Sequence, residues 1–178
     1  MIHTFFTHGS GFGAFVVRVD TLRPGQDWED VPAHCGIILS PDVSPDLGNP
    51  LGTVYEMIST GWHTRPATQE DFAWSVEMIG LDEAMARTYA VTSQRNRYCW
   101  LTIALIAAAR CVPDRWLSCT MQMHKNICSW YVKQYLLTCG WPCPHWLAEQ
   151  YVPETPNDLW FAVRPQMATS PTHMKASV

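Results

Sequence analysis

Three short runs in this chain hold side chains that together could carry covalent thiol chemistry. They are Ala33-His34-Cys35-Gly36-Ile37-Ile38-Leu39, Val54-Tyr55-Glu56-Met57-Ile58 and Asn126-Ile127-Cys128-Ser129-Trp130-Tyr131-Val132. A cysteine attacks as the thiolate, so it needs a base to take its proton and a third group to hold that base in place. Asn126 is a good N-cap, which puts Cys128 in the first turn of a helix. There the positive helix end and the free N–H groups favour the thiolate, and the same N–H groups can bind a developing oxyanion.

Each run also has a plainer reading. In a strand, His34, Gly36 and Ile38 share one face, and a glycine next to the histidine leaves open space in front of the imidazole. On this segment alone His34 reads as a polar strand end. Glu56 sits inside an otherwise apolar strand, where a bare carboxylate costs several kcal/mol unless paired. Either its face is solvated or, if the two strands are neighbours, Glu56 lies beside His34, orients it and stabilises its charged form. Cys128 alone reads as a small buried residue on the Cys128, Val132, Leu136 stripe. The three together make a nucleophile, a base and an orienter.

Competing chemistry is thinner. His124, Cys128, Cys139, Cys143 and His145 are all plausible zinc ligands. However, Cys128 and Cys139 lie at opposite ends of one expected helix, about 16 Å apart at 1.5 Å rise per residue, and cannot share an ion while it is intact. No metal or other cofactor is therefore expected. His63 is a weaker alternative orienter. Gly9-Ser10-Gly11-Phe12-Gly13 lacks the Lys-Ser/Thr of a phosphate loop and precedes an expected strand. Nine tryptophans, Trp62, Trp74, Trp130 and Trp141 among them, could line a sugar or lipid groove or serve as core and interface anchors.

The elements that must position these groups read as follows. Strands are expected at 13–19, where Phe15, Val17 and Val19 alternate with Ala14, Val16 and Arg18, and at 33–39, 53–58 and 74–81, with a last one at 159–163. Ser59-Thr60-Gly61 is a turn, and Thr68 to Asp71 opens only a short helical turn. Helices are expected at 83–93, capped by Asp82, at 97–111, and from near Asn126 to Cys139-Gly140. Strands, then helices, then a final strand predict an α+β domain over 13–163, an antiparallel sheet packed on one side by about three helices, with a frayed tail at 164–178.

Composition narrows the class. Twelve Lys and Arg against sixteen Asp and Glu give a net charge of −4, so no general attraction for nucleic acid or an anionic membrane is available. The longest apolar run, Trp100 to Ala109, is too short for a transmembrane segment. MIHTFFTHGSGFG has no positive leading region and breaks at His8 and Gly9, so no secretory signal is expected. Seven cysteines, an odd number without export, predict free thiols in a cytoplasmic or virion-associated protein.

The order AHCGIIL, VYEMISTGWHTRP, NICSWYVKQYLLTCG resembles the circularly permuted papain-like amidases, the permuted NlpC-type peptidases with their YiiX-like branch and, more distantly, the lecithin:retinol acyltransferase-like proteins. Thr155-Pro156-Asn157-Asp158-Leu159 is similar to the family's Pro-x-Asp-Leu segment. The resemblance spans roughly 13–163. It implies a permuted papain-like fold and a cysteine peptidase or amidase with Cys128 as nucleophile, His34 as base and Glu56 as orienter. It also implies a peptide or peptidoglycan cross-bridge as substrate, with an acyl lipid as runner-up. Two features depart from the pattern: Cys35 is a second thiol beside the base, and Thr138 to Trp146 is rich in Cys, Trp and Pro. A non-catalytic component of a phage particle or secretion assembly is the other reading, since a Trp-rich, weakly charged surface suits a protein interface.

Overall fold

The computed structural model describes residues 1–44, 48–92, 127–148 and 154–165. These form an α+β fold around a five-stranded sheet, ordered β4-β3-β2-β1-β5 and antiparallel at every pairing. The strands are β1 (Ile2–Thr7), β2 (His34–Leu39), β3 (Thr53–Ile58), β4 (Gly61–Pro66) and β5 (Ser75–Glu77). The helices among the described residues are α1 (Gly11–Thr21), α2 (Gln69–Ala73), α3 (Glu83–Thr92), α4 (Cys128–Thr138), α5 (His145–Ala148) and α6 (Pro156–Val163). No helix among the described residues is long and apolar enough to cross a membrane.

Alternation along the strands sorts residues onto two faces. Ile2 and Phe6 of β1, Cys35, Ile37 and Leu39 of β2, and Tyr55 and Met57 of β3 pack with α3, α4, α5 and α6 into the main core. The helical side of that core is Ala86 and Ala90, Tyr131, Val132, Tyr135 and Leu136, Leu147, and Leu159 and Val163. On the opposite face a smaller cluster of Phe5, Ile38, Val54 and Ala67 is closed by Leu51 and by Phe72 of α2. The helices thus gather mainly on one side, with the short α2 on the other.

The expected strands at 33–39 and 53–58 and the helix capped by Asp82 are present. The Asp82 carboxylate accepts from the N–H groups of Ala84 (2.9 Å) and Met85 (3.0 Å). Two expected strands are instead helices. Residues 13–19 lie within α1, with Ser10 at the N-cap. Phe15 and Val19, which strand alternation would have buried, are 55% and 44% exposed, and Val17 is the residue driven into the interior. Residues 159–163 lie within α6, because Thr155, Pro156 and Asp158 make a complete helix start. The Thr155 hydroxyl accepts from the Asp158 N–H (3.2 Å), and the Asp158 carboxylate accepts from the Thr155 N–H (3.0 Å). Proline at the first helical position loses nothing, since its missing N–H would have no intrahelical acceptor.

Two strands had no sequence-based counterpart. β1 lies between β2 and β5, and β4 forms the sheet edge beyond β3. The expected strand at 74–81 shrinks to Ser75–Glu77. The expected helix at 97–111, Asn126, His124 and most of the 164–178 tail lie outside the described residues.

Candidate active site

β2 and β3 pair with Gly36 opposite Glu56, which places Glu56 one pleat away from His34 on the same face. The two side chains meet: His34 Nε2 is 2.8 Å from Glu56 Oε2. Glu56 is 6% exposed, so the solvated alternative does not hold. Gly36 is required here, though not for an open space. The edge of the Phe5 ring occupies the volume above it, and a Cβ at this position would fall 2.4 Å from Phe5 Cε1. Phe5 therefore forms an apolar wall against the imidazole, their ring centroids 6.2 Å apart.

The β3–β4 hairpin brings further charge to Glu56. Gly61, at a φ of 111°, closes the turn begun by Ser59 and Thr60, a backbone shape that suits glycine. The register then sets His63 opposite Glu56, with Arg65 one pleat further on. Arg65 Nε donates to Glu56 Oε1 at 3.1 Å, and His63 Nδ1 stands 3.4 Å from the same oxygen. The two terminal nitrogens of Arg65 donate to Asp71 of α2 at 2.7 and 2.6 Å. His63 is 44% exposed and touches Glu56 rather than His34, so the nearer orienter of the imidazole is Glu56.

Cys128 opens α4 as its first residue, and Ile127 is the N-cap. The first intrahelical bond runs from the Tyr131 N–H to the Ile127 carbonyl (3.0 Å), leaving the N–H groups of Cys128, Ser129 and Trp130 without intrahelical acceptors. The turn is pinned from outside the helix. The Ser129 hydroxyl donates to the Glu154 carbonyl, while the buried Lys133 ammonium donates to the Leu147 carbonyl (3.0 Å) and Glu154 Oε2 (3.2 Å). The Cys128 thiol lies near enough to the Cys35 thiol and the His34 imidazole for each to shift its affinity for a proton. With His34 Nε2 committed to Glu56, Nδ1 is the nitrogen left to serve the sulfur.

The electrostatics of this group are mutual. Hydrogen bonding from Cys35 and the charge of His34 overcome burial and hold the Cys128 thiol well below its usual range. Burial opposes a charged His34, yet the Cys128 thiolate and the Glu56 carboxylate outweigh it and raise the imidazole to about 10. Burial likewise opposes a charged Glu56, but His34 and Arg65 bring it down to about 2. The other described thiols move the opposite way. Burial, and then the neighbouring Cys128, push Cys35 up, burial pushes Cys139 up to about 12, and burial raises Cys143. Cys128 is thus the one thiol among the described residues whose surroundings favour the thiolate.

A cavity of about 340 Å³ opens beside the imidazole, lined by His34, Glu56 and Ser59 on one side and Gly9, Ser10 and Gly13 of the α1 start on the other. Cys128 itself is 4% exposed. Trp62, Trp74, Trp130 and Trp141 pack with the core and are not among the residues lining this cavity. Trp62 packs edge-on against Tyr131 (4.7 Å), Trp74 against Trp160 (5.6 Å), and Trp141 is buried. Among the described residues no three His, Cys, Asp or Glu side chains converge to hold a metal. Cys128 and Cys139 stand at opposite ends of α4.

Comparison with family models, with curated proteins and with solved structures returned no match. Arg65 and Asp71 are the site-associated residues that the motif reading passed over. A signal for them existed: a carboxylate inside an apolar strand needs a cation, and a turn at 59–61 implies a partner strand carrying His63 and Arg65 on the matching face.

Proposed function

We propose that this chain is a cysteine hydrolase acting on an amide bond, with the catalytic parts arranged as in the permuted papain-like amidases. The observation that carries the reading is the grouping of Cys128, His34 and Glu56, with an imidazole held by a carboxylate at 2.8 Å and electrostatically coupled to a thiol at the start of a helix. The Cys128 thiolate attacks the carbonyl carbon, and the oxyanion that forms accepts from the Cys128 backbone N–H. As the C–N bond breaks, the His34 imidazolium gives its proton to the leaving amine and a thioester remains. His34, now neutral, takes a proton from water, the resulting oxygen nucleophile attacks the thioester, and the thiolate leaves. Glu56 holds the ring and stabilises its charged form. The route calls for no cofactor.

Motif order favours a peptide or a peptidoglycan cross-bridge as the substrate, ahead of an acyl lipid. The burial of Cys128 favours one rival, a non-catalytic assembly component that keeps the fold and the thiol. The two separate in a single experiment. Wild type and Cys128→Ala are incubated with isolated peptidoglycan or a peptide library, and new amino termini are mapped by mass spectrometry. The hydrolase reading expects cleavage by wild type, loss of cleavage in Cys128→Ala, and a mass adduct on Cys128 when the reaction is quenched in acid. Unchanged substrates, with no adduct from an acyl-transfer probe such as a peptide thioester, would leave the assembly role standing.

A further inference from the structure

We propose that Arg65 is a positioning residue of the Cys128–His34–Glu56 site: clamped by Asp71, it offers Glu56 a single N–H and so keeps the carboxylate on His34. This rests on the hydrolase reading above. Contacts join His34 imidazolium, Glu56 carboxylate, Arg65 guanidinium and Asp71 carboxylate in a row of alternating charge, and the Cys128 thiolate is electrostatically coupled to its His34 end.

The division of labour within the guanidinium carries the argument. An arginine meeting a carboxylate prefers two parallel N–H donors on both oxygens. If Arg65 did that to Glu56, it would occupy Oε2, the oxygen His34 uses. Asp71 prevents it by taking both terminal nitrogens at 2.7 and 2.6 Å, which leaves Nε to reach Oε1 at 3.1 Å. Asp71 is fixed in turn by the start of α2. It accepts from the Thr68 N–H at 2.8 Å and the Thr68 hydroxyl at 2.9 Å. The short α2 thus locks the rotation of Arg65, and Arg65 locks the carboxylate. Phe5 completes the enclosure, with Arg65 Cζ 5.9 Å from its ring centroid.

The charged and titratable groups around this row, among the described residues, come from each packed element. Glu56 is faced by His34 from β2 and by His63 and Arg65 from β4, and Arg65 by Asp71 from α2. His34 is faced by Glu56 and by Cys128 from α4, and Cys128 by the Cys35 thiol from β2. Removing the Arg65 charge lets Glu56 take up a proton at higher pH. A protonated Glu56 no longer supports the imidazolium, and the Cys128 thiolate loses its partner charge.

The test is the rate of Cys128 alkylation by iodoacetamide as a function of pH, in the full chain. Wild type should stay reactive well below the free-thiol range. Arg65→Met should move the acid limb up by about one pH unit, an approximately tenfold slower rate at a fixed pH on that limb, and leave the alkaline plateau unchanged. A merely structural arginine would lower stability without moving the limb. Arg65→Lys keeps the charge but cannot fork between two carboxylates, so it should shift the limb the same way by less and serves if the methionine variant does not fold. An acid limb unmoved in the folded variant, methionine or lysine, overturns the Arg65 role alone. A wild-type profile like that of a free thiol takes down the hydrolase reading and this role with it.

Discussion

Replacing Glu56 with glutamine keeps the shape of the side chain and removes the charge that His34 and Arg65 hold. In the folded chain burial works against the Glu56 carboxylate, yet these partners bring it from an ordinary 4.5 down to about 2. A shift of that size corresponds to about 3 kcal/mol of stability. Its sign is fixed by linkage. A carboxylate depressed in the folded state contributes fully above its unfolded value of 4.5 and loses that contribution as pH falls through about 2. His34, raised from 6.5 to about 10, contributes fully below 6.5 and loses its part as pH rises toward 10. The stability gap between wild type and Glu56→Gln should therefore be widest between about pH 4.5 and 6.5, close toward pH 2, and narrow again on the alkaline side. Urea unfolding followed by tryptophan fluorescence across this range measures it, with a midpoint shift of about 1–2 M at the plateau. A gap below about 0.5 kcal/mol, or one that stays flat down to pH 2.5, would show that the carboxylate is not held as described.

The other tests address the thiols and the wall of the site. Brief iodoacetamide treatment at neutral pH followed by peptide mapping should label Cys128 ahead of Cys35, Cys139 and Cys143, because burial raises the other three; early labelling of Cys35 would reassign the nucleophile. Cys35→Ala removes the largest single support of the Cys128 thiolate, so Cys128 should alkylate several-fold more slowly at neutral pH and recover as pH rises. Gly36→Ala should destabilise by about 1–3 kcal/mol, since the new methyl group meets both the Phe5 ring and the Tyr55 carbonyl oxygen, 2.9 Å away. Calorimetry would register it, and an unchanged Tm would mean that Phe5 moves aside freely.

What could be read from the sequence divides along a physical line. His34 and Glu56 were legible as a pair because strand geometry is nearly fixed: a period of two puts positions 34 and 36 on one face, and any antiparallel neighbour carrying Glu56 opposite Gly36 must bring the two together. The burial of an acid among Val54, Tyr55 and Met57 then demanded a partner. Residues 13–19 misled for the opposite reason. In Ala14-Phe15-Val16-Val17-Arg18-Val19 nearly every position is apolar, so a period of two and a period of 3.6 both fit, and the choice falls to tertiary contacts. At 159–163 the deciding signal is local and strong, the Thr155–Asp158 capping box with Pro156, whereas the short apolar run after it reads by itself as a strand. β4 escaped because GWHTRP has the polar composition of a loop. Its residues form an edge strand whose value lies in the charges at His63 and Arg65. Hydrophobic pattern finds elements that build the core, and it is blind to a strand whose purpose is to carry a cation to a buried carboxylate. Such a strand is found by asking what must neutralise the acid, and that question leads from Glu56 through the turn at Gly61 to Arg65.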